Sequence, residues 1–493
     1  MAALSSRPFR VAVVGAGISG LSAAHRLKEL APHAEVSLFD LKERPGGVLN
    51  TLIQDGFEIE ESADNFITTV PWGVSLCQRL GLGDDLVTTT PKHRQTFVVW
   101  RNRLHKLPDG FMMMAPTQWW PMATTRLLSP WGKLRAGLEI FVPRRDSEED
   151  ESLEAFAVRR LGREAYERLI EPLVSGVYAA DMSRLSLLAT LPRFREMERE
   201  YGSLIRAMRK NRQKQKSSTA SVQSGPRYSL FVTVRGGLKR LTEALMEKVG
   251  REAFHGKTSV EALSPTEQGW RLVLREEEGK TRREEVFDAV ILATPSHVAA
   301  QLFETAGRKA VSKPLGEIEH TGTVILNVAY RREQIGHPLD GMGAVVPAAE
   351  KSPLLALSFS NEKYPHRAPE GYTLFRVFTG GARNPEMLEK SDEEVTAILL
   401  EKIRPLVKIS GEPVMTTLSR WKNTMPQYHL GHLDRVAKIE TELEHCSTLG
   451  LAGNAFAGVG IPQCVHSGEQ AAEKIWQAFQ KNKHEPPSAL FNG

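Results

Sequence analysis

The stretch that decides the fold is Arg10–Gly20, which reads RVAVVGAGISG. Its first half, Arg10–Val14, is a short apolar run typical of a buried strand in a parallel sheet. A Gly-x-Gly-x-x-Gly turn follows, and Leu21–Leu30 carry apolar residues on one side, as expected of an amphipathic helix. A second strand, Val36–Phe39, ends at Asp40. This order of strand, glycine turn, helix and strand predicts a βαβ unit at the start of the chain.

The glycine turn has the spacing of a dinucleotide-binding site. Gly15 permits the tight turn, Gly17 lets the backbone approach a pyrophosphate, and Gly20 allows close packing of helix against strand. The helix that follows offers free N–H groups and a partial positive charge to the phosphates. Asp40 can accept hydrogen bonds from ribose hydroxyls, which favours an adenosine without a 2′-phosphate. The predicted contacts are Gly15, Ala16, Gly17, Ile18, Ser19, Gly20 and Asp40.

Composition narrows the function classes. The 493 residues carry a net charge of +5 from 64 Lys+Arg and 59 Asp+Glu, which favours a nucleic-acid binder only if a basic surface is concentrated locally. Residues 206–227 are basic but have no aromatic residue between the charges, and we interpret them as a flexible insertion. Three cysteines without a CxxC pair predict neither a disulfide framework nor a metal site. With no apolar run of 18 residues, we expect a cytoplasmic protein without a spanning helix.

Further strands occur late in the chain. Asp288–Thr294 (DAVILAT) and Thr448–Gly453 (TLGLAG) have the buried type of strand pattern, and a helix over Ser467–Gln477 follows the second. We therefore expect an α/β fold (α+β overall) in which the C-terminus returns to a Rossmann-like domain, beside a mixed-sheet substrate domain and a helical domain. The expected boundaries are 1–90, 227–299 and 416–493 for the cofactor domain, 91–226 for the helical and substrate-pocket region, and 300–415 for the substrate domain.

The residues after Asp40 indicate the class of cofactor. Leu41–Val48 read LKERPGGV, and this segment resembles the flavin amine-oxidase superfamily, in which an acid, a basic residue and a Gly-Gly doublet follow the second strand. The doublet lets the chain pass close to the cofactor. Nicotinamide-only enzymes do not usually carry this extension, so the resemblance implies FAD and a Rossmann-like FAD-binding domain. It adds to the expected site Arg44, Gly46, Gly47 and Val48.

Two C-terminal segments sharpen the resemblance. Met425–Tyr428 (MPQY) leads to Gly431 and His432, and Gly458–Pro462 reads GVGIP. Together with Ala293–Pro295 (ATP) they resemble the oxygen-dependent porphyrinogen oxidases of haem biosynthesis, and the resemblance covers essentially the whole chain. It implies oxidation of protoporphyrinogen IX or coproporphyrinogen III to the porphyrin by removal of six electrons, with molecular oxygen as acceptor. The sequence leaves open which of the two is the substrate.

The resemblance also implies where the flavin ring lies. Ser62–Asn65 match the segment near the isoalloxazine, Val260 matches a backbone contact with adenine, and residues 454–461 match the last FAD loop, before a helix N-terminus. The flavin supplies the redox chemistry, so no catalytic residue and no metal is assigned. A homodimer is left open. The contacts expected from these segments are Ser62, Ala63, Asp64, Asn65, Val260, Asn454, Val459, Gly460 and Ile461.

The chain departs from the family pattern at two places. Relatives often have Gly-Pro where Ser62-Ala63 stands, and some have an arginine, proposed to meet a substrate propionate, where Thr96 stands. Buried carboxylates still require cations. By location alone, the candidates are Arg94, Arg101, Arg376 and Arg420.

Residues 110–135 admit two interpretations. Trp119, Trp120 and Trp131, with Lys133 and Arg135 nearby, suit a bilayer interface, while the prolines exclude a spanning helix. One interpretation is a peripheral contact with the inner face of the cell membrane. The other is a buried lid over the substrate pocket.

Alternative functions use the same fold. An amine oxidase or carotenoid desaturase would share the FAD fingerprint but not the MPQY and GVGIP segments. A non-enzymatic flavin-fold binding protein, of the kind that chaperones prenylated GTPases, would lack the cofactor-contacting glycines. Among the conspicuous side chains, His105, His297, His432 and Cys464 are interpreted as structural rather than as bases or a nucleophile.

Overall fold

The computed structural model describes residues 7–91, 95–116, 118–217, 230–276 and 281–484. The strands are β1 Arg10–Val14, β2 Glu35–Phe39, β3 Thr51–Gln54, β4 Phe57–Glu60, β5 Phe66–Ile67, β6 Leu86–Thr88, β7 Thr96–Trp100, β8 Arg103–Lys106, β9 Phe111–Met112, β10 Ala115–Pro116, β11 Phe231–Val234, β12 Phe254–His255, β13 Thr258–Thr266, β14 Gly269–Glu276, β15 Arg282–Phe287, β16 Ala289–Leu292, β17 His320–Arg331, β18 Gly343–Val345, β19 Leu354–Phe359, β20 Tyr372–Gly380, β21 Met415–Pro426 and β22 Leu449–Leu451.

The helices cluster in the middle and at the end of the chain. They are α1 Ile18–Leu30, α2 Trp72–Arg79, α3 Trp119–Thr124, α4 Pro130–Gly137, α5 Leu153–Leu161, α6 Arg163–Ala165, α7 Glu171–Tyr178, α8 Leu187–Thr190, α9 Pro192–Tyr201, α10 Leu204–Ser217, α11 Lys239–Val249, α12 Ser296–Thr305, α13 Lys309–Gly316, α14 Ser360–Lys363, α15 Asp392–Val407, α16 His432–Glu444 and α17 Ile461–His484. Within the described ranges, no helix is long and apolar enough to cross a bilayer.

A parallel five-stranded sheet has the order β12-β2-β1-β16-β22. The predicted strands Arg10–Val14 and Val36–Phe39 are confirmed as β1 and the greater part of β2. Of the late strands, β16 pairs with β1 and β22 pairs with β16, so segments from three distant parts of the chain build one sheet. Helix α1 begins at Ile18, three residues before the predicted Leu21, because Gly17 already occupies its N-cap. Helices α1 and α17 pack together closely, since a Cβ at Gly468 would lie 2.1 Å from the carbonyl oxygen of Ser19.

A second, mixed sheet of seven strands has the order β21-β17-β20-β19-β18-β7-β8. This sheet draws on strands outside the predicted 300–415 substrate domain, because β7 and β8 precede that range and nearly all of β21 follows it. Trp421 of β21 pairs with Thr323, and Phe97 of β7 pairs with Ala344. Sheet membership depends on these distant partners, which a scan along the chain does not reveal.

The helical region is held by buried ion pairs. The Glu139 carboxylate, fully buried, accepts hydrogen bonds from the fully buried Arg160 and from the amide of Leu204 at 2.8 Å. That amide starts α10, so the predicted flexible insertion over 206–227 is wrong for its first half, which is helical to Ser217. The missed signal is the cap: Ser203 and Glu139 satisfy the free N–H groups of the first turn. Residues 218–229 lie outside the described residues.

Candidate functional site

The glycine turn lies at the carboxyl end of β1, and the space around each of its three glycines differs. Gly15 has φ +99°, and a Cβ there would lie 2.5 Å from the carbonyl oxygen of Ala293. A Cβ at Gly20 would lie 1.9 Å from the carbonyl oxygen of Gly15. At Gly17 an added Cβ would meet nothing within 4 Å. Two glycines are therefore required by the protein's own packing, whereas Gly17 faces open space of the kind a pyrophosphate needs.

Asp40 is held against the glycine turn. One carboxylate oxygen accepts the amide N–H of Ala16 at 2.7 Å, and the other accepts the amide of Lys42 at 2.8 Å. Each carboxylate oxygen can accept a further hydrogen bond, so these contacts leave capacity for the predicted ribose hydroxyls. The acid thus orders the turn and faces the same side of the sheet.

The Gly-Gly doublet packs on the turn. The amide of Gly46 donates to the carbonyl oxygen of Ala16 at 2.8 Å, and a Cβ at Gly47 would lie 2.9 Å from the Cα of Gly17. Arg44 donates to the carbonyl oxygens of Pro45 and Leu49 at 3.2 and 3.1 Å. The guanidinium of Arg44 therefore shapes this loop, with donors to spare for an anion.

The predicted adenine contact, Val260, lies on β13. The amide of Thr258 donates to the carbonyl oxygen of Asp40 at 2.9 Å, so Val260 follows two residues beyond this junction. A β-bulge between Val260 and Ala262 disturbs the pairing with β14. Val260 thus lies two residues along β13 from the residue that contacts Asp40.

A cluster of buried charges surrounds Ser62–Asn65. The carboxylate of Asp64 lies 2.7 Å from the Lys363 ammonium group and 3.4 Å from the Arg376 guanidinium. The Arg367 guanidinium donates to the Asp64 carbonyl oxygen at 2.7 Å and lies 3.4 Å from Glu60. Although burial opposes it, the three cations lower the pKa of Asp64 well below its ordinary range. Burial raises the pKa of Glu60. The sequence analysis missed Lys363 and Arg367, which no local motif marks.

The cations proposed for substrate carboxylates fare differently. Arg376 is only 1% exposed and donates to the Ser62 carbonyl oxygen as well as pairing with Asp64. Arg420 donates to the carbonyl oxygens of Met387 and Leu388. Both guanidinium groups are therefore already bound within the protein, and neither faces a substrate carboxylate unpaired. Arg101 lies exposed in a turn after β7, and Arg94 lies outside the described residues.

Arg193, which the sequence analysis did not single out, is a better candidate for binding a substrate carboxylate. Its side chain is exposed, lies over the ring of Phe194 and pairs with no carboxylate of the described residues. Its charge opposes the burial that raises the pKa of Tyr178 to about 12. The ring of Tyr178 lies 6.5 Å from that of Tyr428 in the MPQY segment. The charge of Arg193 thus acts on a tyrosine whose ring lies near the MPQY segment.

Cys464 and His297, considered as a nucleophile and a base, lie in surroundings typical of structural residues. Cys464 is 7% exposed, and burial raises the pKa of its thiol to about 11, so the thiol stays protonated at neutral pH. His297 stands edge-on to His320 at 5.1 Å. Among the described residues no cluster of His, Cys, Asp or Glu could hold a metal ion.

These residues fit FAD. The space in front of Gly17, the uncapped N-terminus of α1 and the placement of Asp40 suit a pyrophosphate and an adenosine ribose. The loop of residues 454–460 leads into the N-terminus of α17. Two polar atoms are buried and have no hydrogen-bond partner among the described residues: the Gln463 side-chain oxygen, beside Gly460 of this loop, and the Ser62 hydroxyl of the predicted isoalloxazine segment.

Comparisons with known proteins agree with this geometry. Residues 18–476 match the family described as flavin containing amine oxidoreductase. Coproporphyrinogen III oxidase of Staphylococcus aureus is 31% identical over 94% of this chain and 98% of its own. Protoporphyrinogen oxidase 2 of Arabidopsis thaliana is 27% identical over 94% of this chain and 93% of its own.

Solved structures share the fold. The crystal structure of a candidate protoporphyrinogen oxidase from Exiguobacterium sp. 255-15 has a TM-score of 0.84 and 29% identity, over 96% of this chain and 100% of that chain. Because the family match spans nearly the whole length, the chain is an FAD-dependent oxidoreductase that belongs to the flavin containing amine oxidoreductase family.

Proposed function

We propose that this protein oxidises a porphyrinogen to the corresponding porphyrin in haem biosynthesis, with molecular oxygen as electron acceptor. The observation that carries the proposal is the whole-length similarity to porphyrinogen oxidases, together with the MPQY and GVGIP segments that lie against each other in the structure. Balanced over the reaction, one porphyrinogen and three oxygen molecules yield one porphyrin and three hydrogen peroxide molecules.

In this proposal the protein's own residues bind the cofactor and orient the substrate. Bound FAD supplies the redox chemistry. The glycine turn and Asp40 would hold its pyrophosphate and ribose, Val260 would contact the adenine, and Asn454 and Val459–Ile461 would bind near the flavin ring. The buried cations around Asp64 fix the backbone of Ser62–Asn65, which is the expected isoalloxazine wall. With the redox step assigned to the cofactor, the protein needs only to align a ring C–H and exclude water.

Coproporphyrinogen III is the substrate we favour. The coproporphyrinogen III oxidase of S. aureus is more similar to this chain than the Arabidopsis protoporphyrinogen oxidase is, at 31% against 27% identity. Coproporphyrinogen carries four propionates and protoporphyrinogen two, so the former needs more cations. Arg193 supplies one that its own fold leaves unused.

The test is a side-by-side assay of both porphyrinogens with air-saturated protein and no added nicotinamide. We expect colourless coproporphyrinogen III to become fluorescent porphyrin, with hydrogen peroxide formed in a 3:1 ratio to porphyrin, and slower conversion of protoporphyrinogen IX. Protein-free samples correct for spontaneous oxidation. If both tetrapyrroles are inert while an amine or a carotene is oxidised, the alternative function on the same fold replaces this one.

We further propose that residues 119–141 contact an anionic membrane surface from the cytoplasmic side. Trp131 and Phe141 are 79% and 77% exposed, and Trp120 is 63% exposed. Aromatic side chains exposed together on one segment suit a bilayer interface rather than a buried lid. Arg135 is partly engaged elsewhere, because its guanidinium donates to the carbonyl oxygens of residues 158–160 at the end of α5.

Basic residues for such a surface come instead from α10. This helix starts against Glu139, which lies in the same turn as Phe141. Its side chains Arg206, Arg209 and Lys210 are exposed. An apolar patch bordered by positive charge favours anionic lipid.

A further inference from the structure

Tyr428 of the MPQY segment binds both ends of one loop. Its side chain is 1% exposed, and its hydroxyl donates to the carbonyl oxygen of Asn454 and accepts the amide N–H of Gly458 at 2.8 Å. The hydroxyl thereby closes the loop Asn454–Gly458 across its base. Gly458 has φ +133°, a conformation that favours glycine.

His432 binds the middle of the same loop. Its ring stacks on the Tyr428 ring, with centroids 4.2 Å apart and planes 14° from parallel. Its Nε2 lies 3.2 Å from the carbonyl oxygen of Phe456. A carbonyl oxygen only accepts, so Nε2 carries the proton. Burial lowers the pKa of His432 to about 4, and the ring is therefore neutral at pH 7.

The loop is held from a third side as well. The side-chain amide of Asn454 donates to the carbonyl oxygen of Thr424 at 3.1 Å, just before the MPQY segment. One short stretch of chain, 424–432, thus contacts the loop at Asn454, Phe456 and Gly458. The loop then runs through Val459 and Gly460 into the N-terminus of α17.

We propose that Tyr428 and His432 form a clamp that fixes the loop Asn454–Gly458 in the shape that binds FAD, and that they act as positioning residues rather than on the substrate. The proposal rests on the expected FAD contacts at Asn454 and Val459–Ile461. A loop ordered before the cofactor arrives loses less conformational entropy on binding. This assigns the MPQY..GH segment to holding the cofactor.

The test compares Tyr428, whose hydroxyl binds the loop, with Tyr178, whose hydroxyl does not. Tyr428→Phe removes both hydrogen bonds to the loop but keeps the ring stacked on His432. Tyr178→Phe is the matched control, because its hydroxyl donates to the Thr190 carbonyl oxygen at 3.3 Å and contacts no residue of the loop. We expect Tyr428→Phe to weaken FAD binding about tenfold, through faster release, and the control to bind FAD like the wild type.

Two readouts separate positioning from general damage. FAD affinity and release are followed by flavin fluorescence, and the visible flavin spectrum is recorded at saturating FAD, where a displaced loop shifts the bands. His432→Phe keeps the ring stack and removes one hydrogen bond, so we expect a smaller loss of FAD affinity. This variant also tests the clamp if Tyr428→Phe does not fold. Wild-type FAD release and spectrum in a folded Tyr428→Phe or His432→Phe protein would overturn the clamp. Because these readouts use no porphyrinogen, they stand apart from the substrate assay.

Discussion

The carboxylate of Asp64 and the ammonium group of Lys363 lie 2.7 Å apart, although 299 residues separate them along the chain. Both side chains are largely buried, at 13% and 14% exposure. Lys363 ends the short helix α14 beside the seven-stranded sheet, and Asp64 lies in the segment expected beside the isoalloxazine. The pair therefore links α14 to the segment Ser62–Asn65.

Loss of the Asp64 charge should be strongly destabilising. Asp64→Asn leaves Lys363 and Arg376 buried without their shared carboxylate, and breaking a buried pair in this way costs roughly 3–5 kcal/mol. We expect a fall of that size in the free energy of unfolding of the FAD-free protein, measured in urea at pH 7. Adding Lys363→Met to Asp64→Asn should recover part of it. An unchanged midpoint in the single variant would show that the cluster is not electrostatically coupled.

Substitution of Gly17 should remove the cofactor without unfolding the protein. Its backbone, at φ −70° and ψ 179°, accepts a valine, and the space that the side chain would enter holds no protein atom. We expect Gly17→Val to keep its circular dichroism and to be purified without FAD, because the branched side chain fills the pyrophosphate position. Gly137→Val, at a second glycine with open space, is the control and should stay yellow. Stoichiometric FAD in Gly17→Val would refute the assigned binding mode.

Arg193 should discriminate between substrates by their carboxylates. We expect Arg193→Gln to raise the KM for coproporphyrinogen III about tenfold, the value of one charge-assisted hydrogen bond, with a smaller change for protoporphyrinogen IX. Steady-state porphyrin fluorescence measures both. Arg331→Gln, an exposed arginine at the end of β17, is the control. Equal KM values for the Arg193→Gln variant and the wild type would remove this residue from the site.

The aromatic surface should carry membrane binding. We expect the wild type to float with vesicles containing anionic lipid at low salt, and Trp120→Ser/Trp131→Ser to remain in the soluble fraction. Ile53→Ser, which alters an exposed apolar side chain on β3, should float like the wild type. A wild type that stays soluble under these conditions contradicts the proposal, and a double variant that floats but loses activity assigns the tryptophans to the substrate pocket.

Much of the cofactor domain is determined by the sequence alone. The strand Arg10–Val14, the three glycines and Asp40 act through contacts a few residues apart or through a turn whose geometry only glycine tolerates, so spacing suffices to predict them. The return of Leu449–Leu451 to the same sheet is visible for a similar reason, since its apolar run before a helix repeats the first motif.

Only the tertiary structure decided the rest. It alone shows that Arg376 pairs with Asp64 and that Arg420 and Arg135 bind backbone carbonyls. It also shows that residues 96–106 pair into the seven-stranded sheet. An arginine has the same appearance in the sequence whether its guanidinium binds a substrate, a carboxylate or a helix end. A strand likewise has the same apolar pattern in either sheet. Which partner it finds depends on how distant segments pack, because the free energy of a buried charge or a strand edge is set by neighbours that are far away in the chain.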